Sequence, residues 1–191
     1  MAQPAKVPQQ NILNGVDIER LTGTIDAIRA KPDLANFKFR ARNQWLEGGH
    51  SRTTITDFDG AAQTHRHSKP FLLEADEPPV LLGGDRAPSP VVYLLHSLAG
   101  CLAGTIAYHA AARGVRVEQI ETQIEGDIDL RGFLGLDGNV RPGYKQIRVK
   151  MRVKADCPET QLKEIVQFGP RYSPVYNVIT SAIPVEVELA H

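Results

Sequence analysis

The feature that most constrains what this chain can fold into is a long apolar run opened by Ser89-Pro90 and stopped by Gly114. Serine supplies a helix N-cap, proline suits the first helical position, and glycine suits the residue just past the end, so the spacing predicts one helix from Pro90 to Arg113. The helix is apolar nearly all round, which predicts that it is buried. His96, Ser97, Gly100, Gly104 and His109 interrupt it, and a polar, proline-rich loop precedes it, so a core helix fits better than a membrane span. Cys101 lies near its middle.

The periodicity on either side is shorter-ranged. Residues 1–11 read as a loose polar arm, and Gly15 to Lys31 carries Val16, Ile18, Leu21, Ile25 and Ile28 at helical spacing, ending before Pro32. Phe37, Phe39 and Ala41 then alternate with Lys38, Arg40 and Arg42, and Gly48-Gly49 separates them from Thr53 to Phe58, a hairpin pattern. A third strand is expected over Pro70 to Glu74, before a loop marked by Glu77-Pro78-Pro79 and Gly83-Gly84-Asp85. Beyond Gly114, Val115 to Leu130 and Lys145 to Val153 read as strands joined through Gly132 to Gly143. Asp156 and Glu159 have capping-box spacing for a helix through Leu162, Ile165, Val166 and Phe168. Ser173-Pro174 starts a short final helix, and Ile183 to Leu189 closes as a strand. Strands, helix, strands, helix, strand is an α+β order. The expected division is an N-terminal arm and short helix over 1–33 and a main domain over 34–191.

Charge narrows the partners. The 22 basic and 22 acidic residues balance, so the chain lacks the positive field that favours nucleic acid or acidic membrane surfaces. Two cysteines do not make a disulfide framework, and the first ten residues lack the apolar core of a signal peptide, so the expected compartment is the cytoplasm. His65-Arg66-His67 puts two imidazoles on one side of an extended segment, but no third ligand stands at an informative spacing, and neither a metal nor a cofactor is expected.

Leu81-Leu82-Gly83-Gly84-Asp85, Ser89-Pro90 and Leu94-Leu95-His96-Ser97-Leu98-Ala99-Gly100-Cys101 resemble the pattern before the reactive cysteine of the OsmC/Ohr family. Ser173-Pro174-Val175 resembles that family's second-cysteine motif, where Cys-Pro-Val is common. The resemblance spans roughly residues 37–190. It implies an OsmC-like fold, in which two sheets wrap around long central helices of an intertwined homodimer, with sites near the subunit interface. It also implies a thiol peroxidase: the first cysteine attacks a peroxide O–O bond to give a sulfenic acid, and a second cysteine condenses with it. In the organic-hydroperoxide branch an arginine and a glutamate assist the thiolate, and the reductant is often a lipoyl-type dithiol. Carried over, Cys101 matches the attacking cysteine, Ser173 stands at the second-cysteine position, and Val91 stands where the glutamate follows Asn-Pro. The arginine, which follows a Gly-Gly pair, is matched by Arg52 two residues beyond Gly48-Gly49-His50.

These departures have physical consequences. A free thiol, with a pKa of about 8.5, is mostly protonated at neutral pH and needs a nearby cation or donor to react. Cys101 lies about three turns from Ser89, too far for the helix dipole to help. Arg52 is the leading candidate for its activation, with His50, Arg86, Arg171 and Ser173 as further groups. Ser173 cannot form a disulfide, so an external thiol is the expected reductant, with Cys157, at a helix start beside Asp156 and Glu159, as the lesser alternative. His109 falls near the Cys101 face of the helix and His96 points away, and either can be a hydrogen-bonded core imidazole. Gly100 and Gly104 share a face that admits another backbone, as a homodimer would require. The leading expectation is a homodimeric peroxidase acting on organic or hydrogen peroxides through Cys101, with Arg52 and Ser173 at the site. The alternatives are a non-catalytic protein holding a small apolar or thiol-reactive ligand, and thiol-mediated acyl transfer or hydrolysis.

Overall fold

The computed structural model describes residues 11–190 and begins with a tight hairpin where the periodicity predicted the start of a helix. Strands β1 (Ile12–Leu13) and β2 (Val16–Asp17) pair antiparallel around Asn14 and Gly15, whose φ angles are 53° and 77°. Asn-Gly is the pair best suited to two successive left-handed residues, so local turn chemistry overrides the helical spacing of Val16. Helix α1 accordingly runs over Ile18–Ala30. The Asn14 side chain does more than turn the chain. Its amide donates to the carbonyls of Val115 at 2.9 Å and Ala107 at 3.3 Å, and its oxygen accepts from the Val117 N–H at 2.8 Å. The arm read over residues 1–11 lies, except for Asn11, outside the described residues.

The chain forms two compact units, one of Glu19–Leu94, the other of the N-terminal hairpin with Leu95 onward. The first holds an antiparallel sheet of β3 (Lys38–Phe39), β4 (Arg42–Glu47), β5 (His50–Gly60) and β6 (Gln63–Ala75). β5 is central, with β6 on one side and β3 and β4 on the other. The hairpin around Gly48 forms as expected. The third strand, however, begins at Gln63 and not at Pro70, because the polar segment before Pro70 is held extended by pairing with β5, as in Phe58 with His65 and Asp59 with Thr64. After β6, the loop is gathered around buried Asp76, whose carboxylate accepts from the backbone N–H groups of Glu77, Gly84 and Arg86.

Helix α2 (Pro90–Ala111) passes from one unit into the other. The Ser89 carbonyl receives the first helical N–H groups, from Val92 and Tyr93, and Gly114 ends the segment at φ 71°. Beyond it, β7 (Val117–Asp127) and β8 (Gln146–Ala155) form a two-stranded antiparallel sheet with Ile120 opposite Val153 and Ile124 opposite Val149. A one-turn helix α3 (Leu130–Phe133) lies between them, and α4 (Glu159–Tyr172) and α5 (Pro174–Thr180) follow. Ile106 and Ala110 of α2, Val115 and Ile165 of α4 form the core of this unit, with Val117, Ile120, Met151 and Phe168 packed against it.

Three sequence expectations need correction. α2 is not buried all round: Leu98, Leu102, Ile106 and Ala110 recur every four residues as one covered stripe, with Ala111 beside them, while Val92, Leu94 and Tyr108 are exposed. One chain supplies packing partners for one side of the helix only. The Asp156–Glu159 capping box does not form. Asp156 is still engaged by the strand, donating its N–H to Arg116, and α4 starts from Pro158 without a side-chain cap. Ile183 to Leu189 is not a strand here: among the described residues the segment has no ladder partner, and Val187 is 92 % exposed. Alternation predicts how such a segment would pair, but a strand exists only where a neighbouring edge accepts it.

Candidate active site

Cys101 sits half-buried on α2, and among the described residues its thiol makes no hydrogen bond. At about 100° per residue it lies some 60° from Leu98 on the covered stripe and some 60° from Gly104 on the side the chain leaves open. The helix therefore places the thiol at the boundary between core and uncovered surface. Ser173 lies in the same unit and is almost completely buried. Its hydroxyl accepts from the Tyr176 N–H at 3.1 Å and caps α5, and its own N–H donates to the Gly169 carbonyl at 2.9 Å. The cap-plus-proline start thus gives Ser173 a definite structural task.

Arg52, His50 and Arg86, offered by sequence as separate candidates, are brought together in the Glu19–Leu94 unit. Arg52 on β5 stands directly opposite Glu74 on β6, and its Nε and Nη2 donate to one Glu74 oxygen at 2.9 and 2.6 Å. His50 approaches the other oxygen through Nε2 at 3.3 Å. Its Nδ1 lies 3.0 Å from Arg86, which also pairs with Glu47 at 2.5 Å. Since Arg86 donates to Nδ1, the consistent tautomer of His50 is neutral with its proton on Nε2, directed to Glu74. The bonds from Arg52 and then from His50 hold the Glu74 carboxyl below the usual carboxylate range. The Tyr93 hydroxyl at the start of α2 donates to the Glu74 carbonyl at 2.7 Å. Glu74 is the residue that sequence reasoning missed. It lies in an expected strand, but only the β5–β6 register puts it opposite Arg52.

The remaining candidates have packing roles. Cys157 is packed against the core cluster, two residues before α4. His109 stacks on Tyr172, with ring centroids 4.6 Å apart, and burial followed by the charge of Arg113 lowers its pKa. Arg171 lies over the Tyr172 ring at 5.1 Å. His96 is exposed. His65 and His67 both join a ring cluster around Phe58.

Comparison with known proteins agrees with this architecture. The OsmC-like protein domain model matches residues 83–188, which contain α2, β7, β8, α4, α5 and Cys101. No curated protein matches the chain. An OsmC-like protein from Mycoplasma pneumoniae superposes with a TM-score of 0.55 at 17 % identity, covering 76 % of this chain and 89 % of that one. The organic hydroperoxide resistance protein OsmC of Legionella pneumophila gives a TM-score of 0.51 at 13 % identity, with coverage of 74 % and 89 %. At these identities the structural likeness speaks to the fold: a mixed α+β arrangement of sheets and helices. The domain match takes in more than half of the sequence, and by it the chain belongs to the OsmC-like protein family.

Proposed function

We propose that this chain is a thiol-dependent peroxidase that reduces organic or hydrogen peroxides through Cys101. The observation that carries this reading is the position of the half-buried thiol, on the long helix of the matched family domain and at the edge of its covered stripe. The Cys101 thiolate attacks the terminal peroxide oxygen, the O–O bond breaks, sulfur is oxidised by two electrons to a sulfenic acid, and the alcohol (or water) leaves after taking a proton. An external thiol then condenses with the sulfenic acid, releasing water and leaving a mixed disulfide. A second thiol breaks that disulfide and restores Cys101. Ser173 cannot act as an internal resolving group.

Arg52 is our candidate for stabilising the thiolate and the developing negative charge on oxygen. Its pairing with Glu74 uses Nε and Nη2, and Nη1 makes no bond to a described residue, so a donor is left for a reacting group. The same reading takes the working protein to be a cytoplasmic homodimer, with 34–191 as the OsmC-like domain and 1–33 as an N-terminal addition. The uncovered apolar side of α2 and the unpaired Ile183–Leu189 segment support the dimer, since both lack partners within one chain.

Rapid mixing of the reduced protein with cumene hydroperoxide or hydrogen peroxide tests the proposal. One peroxide should be consumed per Cys101 without added thiol, with turnover when a dithiol is supplied, and Cys101→Ser should abolish both. Equal, negligible consumption by the two proteins would refute it. The absence of a carboxylate at Val91 and of a thiol at Ser173 favours a second reading, a non-catalytic protein holding a small apolar or thiol-reactive ligand. That reading predicts a Cys101 inert to alkylation in the native state.

A further inference from the structure

The pairing of β5 with β6 breaks its register at one place: Ile55 faces Phe71, but Asp57 faces Arg66, so residues 67–70 of β6 are set against Thr56 alone. Such irregularities bend a sheet and re-aim its side chains. Here the break coincides with a hollow of about 390 Å³, walled by Phe39, Ala41, Ile55, Phe58 and His67 and edged by Arg40 and Asp57. Three of these residues, Phe39, Phe58 and His67, contribute rings. Phe39 stacks with Phe58 at 5.6 Å, His67 tilts against Phe58 at 5.8 Å, and Phe71 meets the edge of His67 at 4.7 Å. Phe37 extends the stack and is seated on Gly60, where a Cβ would come within 2.2 Å of its ring.

Two features define what this hollow can take. The first is its unspent aromatic surface: Phe39 is 75 % exposed, although its ring is held in place by its neighbours. The second is charge. The two charged residues at the edge, Arg40 and Asp57, are paired with each other, and Arg40 is bonded to Asp59 as well. An ionic ligand would have to break a pair, whereas a neutral one would not. The volume lies in the range of small-molecule sites.

We propose that this hollow binds a neutral, planar aromatic small molecule, stacked on the Phe39 and Phe58 rings with the His67 imidazole as its polar contact. The site lies wholly within the Glu19–Leu94 unit and does not depend on the chemistry of Cys101. Its test is a fluorescence titration of the full chain with N-phenyl-1-naphthylamine, a neutral planar probe, with the oligomeric mass measured in parallel. Saturable binding of one probe per chain is expected. Phe39→Ser should weaken it at least about tenfold, and so should Ala41→Phe, which fills the hollow and leaves every ring in place, whereas Cys101→Ser should leave it unchanged. Non-saturating fluorescence, or wild-type affinity in either Phe39→Ser or Ala41→Phe, would overturn the proposal. So would conversion of a dimer to a monomer by Phe39→Ser, which would make this face a surface between copies.

Discussion

Arg52 and Glu74 face each other across neighbouring strands, with two guanidinium nitrogens on a single carboxylate oxygen and the second oxygen taken by His50. Both partners are substantially exposed, so the pair adds little to stability. Its effect is orientation: the guanidinium is held at a defined place and angle on a rigid sheet.

If Arg52 serves the Cys101 thiolate, its loss should cost reactivity without costing fold. Arg52→Met is expected to slow peroxide-driven oxidation of Cys101 by about 10²-fold, the usual effect of removing one donor from a developing negative charge. Glu74→Gln should give a smaller loss, because the guanidinium keeps its charge but not its orientation. Stopped-flow kinetics, with thermal unfolding as the control, measures both. An unaltered rate in Arg52→Met would remove Arg52 from the site.

The open side of α2 yields a test of assembly. Gly100 and Gly104 lie roughly opposite Leu102 on the helix, and within the chain a Cβ at either meets nothing within 4 Å. Gly104→Leu should therefore be tolerated by the monomer fold. If α2 meets its copy in the proposed homodimer, the leucine would stand at that close approach, and light scattering should show a shift towards monomer. A dimer of unchanged stability would place the interface elsewhere.

His109 supplies a pH dependence of stability. Its folded pKa is lowered from the ordinary 6.5 by burial and by Arg113, so the unfolded chain binds a proton more readily than the folded one. The contribution is complete above about pH 6.5 and is lost as the pH falls through the lower folded value. Denaturation midpoints of the wild type should fall between about pH 7 and pH 5 more than those of His109→Phe, which keeps a ring against Phe168 and Tyr172. Parallel curves would show that His109 does not carry this dependence.

Packing predicts two losses of different origin. Ile106 is fully buried between α2, α4 and the β7–β8 sheet, and Ile106→Ala should cost about 2–5 kcal/mol in urea denaturation. At Gly83 an added Cβ would lie 1.8 Å from the Glu77 carbonyl oxygen, a backbone atom that cannot move aside cheaply. Gly83→Ala should therefore cost about 1–3 kcal/mol and disturb the Asp76 loop, seen as faster amide exchange at Gly84 and Arg86.

Much of the fold was legible because its signals are local. Ser89-Pro90, Gly114 and Ser173-Pro174 act on backbone groups within one turn: α2 starts at Pro90, Gly114 takes the left-handed turn after it, and the Ser173 hydroxyl caps α5. Misreadings arose where a local pattern needed a distant partner. Ile183 to Leu189 alternates as a strand should but finds no edge within the chain, and Gln63 to Lys69 lacks strand periodicity yet is drawn into β6 by β5. Asn14 falls between the arm read over residues 1–11 and the helix read from Gly15, and local pattern assigns it no role. Its side chain instead ties the N-terminal hairpin to the exit of α2 and the start of β7, contacts about 100 residues away along the chain.

The sequence by itself determined the central helix, the cysteine at its middle, the serine where a second thiol would stand, and through them the family. Caps, turns and helical spacing are short-range effects, written in adjacent residues. Only the tertiary structure decided what surrounds each candidate residue: that Arg52 is held by Glu74, whose other oxygen meets His50, that Ser173 caps α5, and that Cys101 lies beside the covered stripe of α2. Those outcomes depend on strand register and on which helix face finds packing. A shift of one residue in register would exchange partners and faces together, and nothing local to Arg52, Ser173 or Cys101 specifies that choice.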